Sequence, residues 1–392
     1  MPELNKTLKP GWGRVKFGDV VRLSKARSQD PLADGFERYL GLEHLEPGDL
    51  RIRSWGNVAD GVTFTNVFKP GQVLFGKRRA YQRKVAVADF SGVCSGDIYV
   101  LESKDASVLL PELLPFICQT DAFFDHAVGT SAGSLSPRTN WTSLAGFEFP
   151  LPPHADQQAI VEKLNCATDV VRSAQDLEAT TKALLSSYLA EVVVVSSDSV
   201  PLQDLCSSPI TYGIVQAGPD LQVGIPYVRV SEMTNCDELD PLQMMKTSEE
   251  VHQSYARTIL EEGDIVIALR GVPGLVHMVP PALAGGNLSR GVARISPGSR
   301  CLGAYLLWAI RSPVVQRSVL QYANGWKGED LREITITDLR RLPIPLPHQN
   351  RQEEIANKAA DIQTAISNAR RRVDAARAMQ CAMTAQALSG GV

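Results

Sequence analysis

Between Asp60 and Asp89 the chain has no aspartate or glutamate, yet Lys69, Lys77, Arg78, Arg79, Arg83 and Lys84 all fall inside that stretch, with Tyr81 among them. A second acid-free stretch runs from Asp264 to Glu329 and holds Arg270, Arg290, Arg294, Arg300, Arg311, Arg317 and Lys327. Guanidinium and ammonium groups gathered away from carboxylates suit the binding of a polyanion, which they attract at range and hydrogen-bond on contact. The formal net charge is −3, so no uniformly basic coat exists. Any positive surface is local, and the acids concentrate beside it, as between Glu232 and Asp264.

Patterns that would do bond-making chemistry are weaker. The run from Gly71 to Arg78 nearly spells a phosphate-binding loop, but Arg78 stands where Ser or Thr must hold Mg²⁺, and Val73, Leu74 and Phe75 read as a buried strand. Asp97, Glu102 and Lys104 echo the carboxylate and lysine set of a metal-dependent nuclease, at too tight a spacing and in one copy only. The six histidines form no ligand-spaced pair, and the seven cysteines include no Cys-x-x-Cys. The cysteines read as buried free thiols of a reducing compartment. No methyltransferase signature appears. The chain therefore reads as non-catalytic, without a metal or cofactor of its own. It has no run of 18 apolar residues, and its first residues lack a signal-peptide core, which predicts a cytoplasmic protein with no membrane span.

What positions the basic stretches is a tandem repeat. Pro150, Leu151, Pro152, Gln157, Ile160 and Lys163 recur as Pro345, Leu346, Pro347, Gln352, Ile355 and Lys358, each offset by 195 residues. Upstream, Tyr39–Leu45 resembles Tyr227–Met233 as a short β-rich stretch. Gly71 and Gly263 each precede an apolar strand, and Leu113–Ile117 pairs with Leu306–Ile310 as a short helical element. These offsets drift between 188 and 193, so the modules share a scaffold while their loops have diverged.

Each copy of the Pro-Leu-Pro junction opens a stretch without Gly or Pro, His154–Val200 and His348–Ser389. Ile355, Ala359, Ile362, Ile366, Ala369, Val373, Ala376, Gln380, Met383 and Ala387 follow steps of four and three, which place one seam along a helix. The same register in the first copy runs Ile160, Leu164, Ala167, Val171, Ala174, Glu178, Thr181, Leu185, Tyr188 and Val192. The expected architecture is α+β: two tandem α/β modules separated by two long, antiparallel coiled-coil helices in a pseudo-twofold arrangement. The expected domains are 1–149 and 199–344 for the modules, 150–198 and 345–392 for the helices.

These features resemble the DNA-specificity subunits of type I restriction-modification systems. The likeness rests on the Leu-Pro junction with Gln and Ile at helical spacing (Phe147–Lys163 and Leu342–Lys358), on Pro10-Gly11-Trp12 before Val20, and on the alternation of module and helix along the chain. It implies that each module is a target-recognition domain reading part of a bipartite, asymmetric site on double-stranded DNA, with the helices setting the gap. It also implies two methyltransferase subunits docked on the helices and, in the restricting form, two motor-nuclease subunits. S-adenosylmethionine, ATP and Mg²⁺ would belong to those partners.

Under that reading the DNA-binding candidates in the first module are Lys77, Arg78, Arg79, Tyr81, Arg83 and Lys84, with the polar loop Thr130, Ser131, Ser134 and Arg138. In the second they are Arg270, Asn287, Ser289, Arg290, Trp326 and Lys327. Gln157, Ile160, Gln352 and Ile355 are the candidate partner-binding residues. Two alternatives stay open: a coiled-coil adaptor that binds proteins rather than DNA, and the same recognition role in another defence complex.

Overall fold

Val73–Gly76 and Ile265–Ala268, the apolar runs that follow Gly71 and Gly263, are fully buried interior strands of two matching sheets. In the first module the order is Val21–Leu23, Ile98–Ser103, Val73–Gly76, Val85–Val87. In the second it is Thr211–Tyr212, Val292–Ile295, Ile265–Ala268, Val276–Met278. All neighbours are antiparallel, and the registers correspond: Gly76 lies opposite Ile98 as Ala268 lies opposite Val292. Both glycines ahead of the central strands have positive φ, +84° and +82°, which the tight turn requires and a side chain would oppose.

The computed structural model describes residues 8–194, 199–234, 236, 238–325 and 332–390. The chain divides into two units, one of 1–175 with 371–392, the other of 176–370. Each unit has a second small sheet containing one parallel pair, Arg38–Leu40 with Gly92–Cys94 in the first and Ile225–Val228 with Asn287–Leu288 in the second. The Pro-rich junctions also correspond. Glu148–Leu151 pairs with Gly13–Lys16, and Pro343–Ile344 pairs with Val200–Pro201. The Tyr39–Leu45 stretch is only partly strand: it turns into a 3₁₀ helix at Leu42–His44, and its counterpart turns into a helix at Val230–Thr234.

The cores use different side chains. In the first unit Phe17, Phe75, Phe123, Phe147 and Phe149 interlock, with Phe17 and Phe75 5.2 and 5.3 Å from Phe123. Each such ring contributes about 2–3 kcal/mol on full burial. The second core is mainly aliphatic around the helix Gly303–Arg311, whose Tyr305 hydroxyl donates to the Pro345 carbonyl at 2.8 Å.

The long helices run His154–Val192 and Gln349–Leu388. The predicted seam is the buried or half-buried side of both. The first unit pairs the start of one helix with the end of the other, and Gln380 Nε2 donates to Thr168 Oγ1 at 2.8 Å. In the second unit, Lys358 Nζ lies 5.0 Å from the Tyr188 ring centre. The pairing within each unit is therefore antiparallel. Each helix start also enters the core of its own module, through Val161 and Leu164 in one and Ile355, Ala356 and Ala359 in the other.

All seven cysteines are free thiols, but not all are buried as expected: Cys166 and Cys381 are exposed on the long helices. Burial pushes the Cys94 and Cys301 thiols up to about 12. Among the described residues no helix is long and apolar enough to cross a membrane.

The joint between helix and module is made by Gln157 and Gln352, both buried. Gln157 Oε1 accepts from Leu110 N–H at 2.8 Å, while its Nε2 donates to the Val108 and Pro152 carbonyls at 2.8 and 3.1 Å. Gln352 repeats this with Leu302 N–H at 2.8 Å, the Arg300 carbonyl at 3.4 Å and the Pro347 carbonyl at 2.9 Å. Replacing Gln157 with Leu keeps the volume but leaves buried backbone groups without partners. We expect a loss of about 2–4 kcal/mol in urea unfolding of the full chain, and a comparable loss for Gln352→Leu. A loss below about 1 kcal/mol would mean that the joint is not held by these bonds.

Candidate nucleic-acid interface

The hairpin loop beyond Val73–Gly76 carries the basic cluster, and the structure ties it to the polar loop that the sequence set apart. Lys77 N–H donates to the Asp97 carbonyl at 2.9 Å, Thr139 N–H to the Lys77 carbonyl at 2.9 Å, and Arg79 N–H to the Pro137 carbonyl at 2.7 Å. Arg78 and Arg138 thereby face each other across an antiparallel bridge. Both guanidiniums turn to Asp97: Arg138 Nε donates to Oδ1 at 2.8 Å, and Arg138 Nη2 and Arg78 Nη1 reach Oδ2 at 3.4 Å. Arg78 and Arg79 also share the Ser136 hydroxyl at 3.2 and 3.3 Å. The Arg138 hydrogen bond, together with the charges of Arg138 and Arg78, outweighs burial and holds the Asp97 carboxyl below its usual range.

The rest of the loop is braced as firmly. Arg79 and Arg83 both adopt φ +55° and are the only non-glycine residues at positive φ among those described. Such strain persists only where surrounding contacts over-determine it. Arg83 Nη2 donates to Asp121 Oδ1 at 2.6 Å, and its guanidinium lies 4.5 Å from the centre of the Phe124 ring. Lys84 Nζ donates to the Leu42 carbonyl at 2.7 Å. Lys77 Nζ sits over the Tyr99 ring at 4.7 Å, and its pKa is lowered, mainly by burial, with Arg138 and Arg27 acting in the same sense. Tyr81, between the two strained arginines, projects 56% exposed.

The second module repeats the ladder with other side chains. Leu269 N–H donates to the Gly291 carbonyl at 2.8 Å, and Ile334 N–H to the Leu269 carbonyl at 2.9 Å. Arg270 faces Glu333 across the bridge, and its Nε and Nη2 donate to Glu333 Oε1 at 2.9 and 2.7 Å. Position for position, Arg78, Asp97 and Arg138 become Arg270, Gly291 and Glu333.

The sequence pattern of the type I restriction modification DNA specificity domain matches residues 11–185 and again 197–372. The chain belongs to this family. The EcoBI type I restriction enzyme specificity subunit of Escherichia coli is 28% identical over 300 residues, covering 64% of this chain and 62% of that protein. The chain thus spans less than two thirds of that relative. A solved structure concerning complex assembly and conformational transition of the type I restriction-modification system aligns over 97% of this chain and 98% of its own, with TM-score 0.57 at 20% identity. The S subunit of such a system from M. genitalium aligns over 98% and 97%, with TM-score 0.53 at 11% identity. At these identities the likeness is one of fold.

Within this family member several expected residues have other work. Asn287 is fully buried, where its Oδ1 accepts from Thr258 Oγ1 at 2.8 Å and its Nδ2 lies 3.2 Å from His252 Nδ1, so it cannot read a base edge. Thr130 and Ser131 hydroxyls donate to the His126 and Ala127 carbonyls at 2.8 and 2.7 Å, closing a helix end. Ser134 and Arg290 are exposed, Ser289 is half-buried beside Gly291, and Trp326 and Lys327 lie outside the described residues.

Among the described residues the second acid-free stretch does not form a basic loop like the first, because several of its arginines serve the fold. Arg294 pairs with buried Asp264 at 2.6 Å, and Arg311 donates to the Val276 carbonyl at 2.9 Å. Gln157, Gln352 and Ile355 are buried and Ile160 packs against the first core, so they anchor helix to module rather than offer a partner surface.

The catalytic look-alikes dissolve. Val73–Gly76 is a buried strand, not a phosphate cradle. Asp97 and Glu102 sit near opposite ends of one strand, on the order of 16 Å apart at about 3.3 Å per residue. Among the described residues no group of His, Cys, Asp and Glu is placed to hold a metal.

Because the folded Asp97 carboxyl titrates below its unfolded value, its stabilising contribution is present above about pH 4 and is lost as pH falls through the folded value. Asp97→Asn should cost about 0.5–1 kcal/mol at pH 7, allowing for solvent screening, and progressively less as pH falls below about 4. Thermal unfolding of the full chain at pH 7 and through the acid range checks this. A cost that does not change with pH would refute the ion-pair role.

Proposed function

We propose that the chain is the sequence-reading subunit of a type I restriction-modification complex, with one module on each half of a bipartite, asymmetric duplex target. The observation that carries this reading is the duplicated ladder: one backbone frame, built twice, presenting different charged side chains at matching positions. A scaffold that repeats while its exposed loop residues diverge suits two half-sites of different sequence. The cations of the first hairpin suit phosphate contacts, and the side chains on the ladder suit base edges in a groove.

In this reading the long helices set the gap between half-sites and dock two methyltransferase subunits, with two motor-nuclease subunits added in a cleaving complex. The docking face lies on the exposed side of the helices, where Leu177 and Leu184 stand out one heptad apart, 44% and 56% exposed. S-adenosylmethionine, ATP and Mg²⁺ then belong to the partner subunits, and the complex works in the cytoplasm. A protein-binding adaptor would need none of the basic hairpin, and would show little salt-dependent affinity for DNA. Service in another defence complex would leave the DNA chemistry unchanged and differ only in the subunits bound.

Neutralising Lys77, Arg78, Arg79, Arg83 and Lys84 together should weaken DNA binding by the assembled complex. It should also flatten log K against log salt, by about 0.9 for each phosphate that is no longer neutralised. An unchanged slope would remove the hairpin from the interface. Adding one heptad to each long helix lengthens it by about 10 Å at 1.5 Å per residue, or about three base pairs at 3.4 Å each. The half-sites mapped by genome-wide methylation should move apart by that amount and keep their sequences. An unaltered gap would refute the spacer role.

A further inference from the structure

The two ladders differ in what they can offer a base. In the first module both Asp97 oxygens are occupied by guanidinium donors. Arg138 Nη1 stays without a partner among the described residues, on a side chain 53% exposed. The outward chemistry is mainly that of a donor. In the second module both Arg270 bonds go to Oε1 of Glu333, so among the described residues Oε2 has no donor, on a side chain 47% exposed. Gly291 adds no carboxylate of its own. Here the outward chemistry joins an acceptor to the remaining donors of Arg270.

Major-groove base edges discriminate between these two faces. Guanine shows two acceptors, O6 and N7, and matches a guanidinium fork. Cytosine and adenine show an exocyclic amino group, which a carboxylate accepts. We propose that the triads are matched specificity determinants. Arg78, Asp97 and Arg138 select a guanine in one half-site, whereas Arg270, Gly291 and Glu333 select an amino-bearing base, cytosine or adenine, in the other. This rests on the DNA-reading function proposed above and adds which residues choose and what they choose. Asp97 is a positioning residue: it holds Arg78 and Arg138, and both of its oxygens are already engaged by their guanidinium groups.

The backbone frame permits the exchange. None of the ladder hydrogen bonds involves a side chain. A Cβ placed on Gly291 would meet Val230 Cγ2 at 3.4 Å and Ser289 Oγ at 3.9 Å, ordinary contacts, so the backbone there accepts a side chain. The test is reciprocal conversion in the full chain, co-expressed with the modification subunit, followed by genome-wide mapping of methylated sites. Asp97→Gly with Arg138→Glu should replace a guanine preference by an amino-base preference at one position of one half-site. Gly291→Asp with Glu333→Arg should do the reverse in the other half-site only.

The change in preference should be roughly 5- to 100-fold at that position. Glu333→Gln, nearly isosteric, guards against misfolding: it adds a donor and should relax discrimination at the same position without moving the salt slope. A motif left intact by all three variants, or changed in the half-site of the unaltered module, would overturn the assignment while leaving the DNA-reading role standing. If the wild-type chain directed no methylated motif, that role and this assignment would both fall.

Discussion

Where a packed loop meets a Pro-rich junction that leads into a helix, backbone groups lie where water cannot reach, and each must find a partner or cost about 1–3 kcal/mol. Gln157 and Gln352 meet that constraint, and the rest of the structure depends on it. One amide joins three backbone groups: the carbonyl of the Pro-Leu-Pro junction, and a carbonyl and an N–H two residues apart in the loop before the module's short helix. Junction, loop and helix start become one body. The hairpin at the far end of the sheet therefore has a fixed relation to the helix start within its own unit. No apolar side chain could do this, which explains why glutamine is kept in both copies when most neighbouring positions differ.

Much of the frame was legible in the sequence because it repeats at constant spacing. The 195-residue offset marked the junctions, and the steps of three and four marked the seam that lies buried in both long helices. Gly71 and Gly263 announced the central strands. Legibility failed where contacts span long sequence separations. Asp97 lies just beyond the acid-free stretch, and only folding brings it between Arg78, 19 residues away, and Arg138, 41 residues away. The second stretch misled because absence of acids in sequence is not absence in space: Arg294 finds Asp264 and Arg270 finds Glu333. Asn287 looked like a base reader by residue type, but it is fully buried and its amide serves Thr258 and the backbone.

The basic hairpin reconciles two demands that pull in opposite directions. Five cations within eight residues repel one another, and a loop carrying them would spread apart in water. Here the repulsion is met by local counter-groups: Asp97 for Arg78, Asp121 and the Phe124 ring for Arg83, the Tyr99 ring for Lys77 and the Leu42 carbonyl for Lys84. The positive φ of Arg79 and Arg83 shows how tightly the loop is held. A pre-ordered cationic surface loses less entropy on meeting a polyanion than a floppy one, so part of the cost of binding is already met in folding.

Specificity can diverge in such a scaffold because the ladder separates frame from message. The hydrogen bonds that align the loops run from peptide to peptide, so exchanging Arg138 for Glu333 or Asp97 for Gly291 leaves the geometry in place. Each module also supplies a carboxylate to its guanidinium groups, though by different means, and the triads differ by one net charge. One module holds two arginines on an aspartate supplied by the neighbouring strand. The other holds one arginine on a glutamate supplied by the facing loop. An arginine left alone on this half-buried frame would carry a desolvation cost, so carboxylate and guanidinium must change together. That coupling favours paired over single exchanges of charge at these positions. Two copies of one ancestral module can thus come to present unlike faces without losing their common fold.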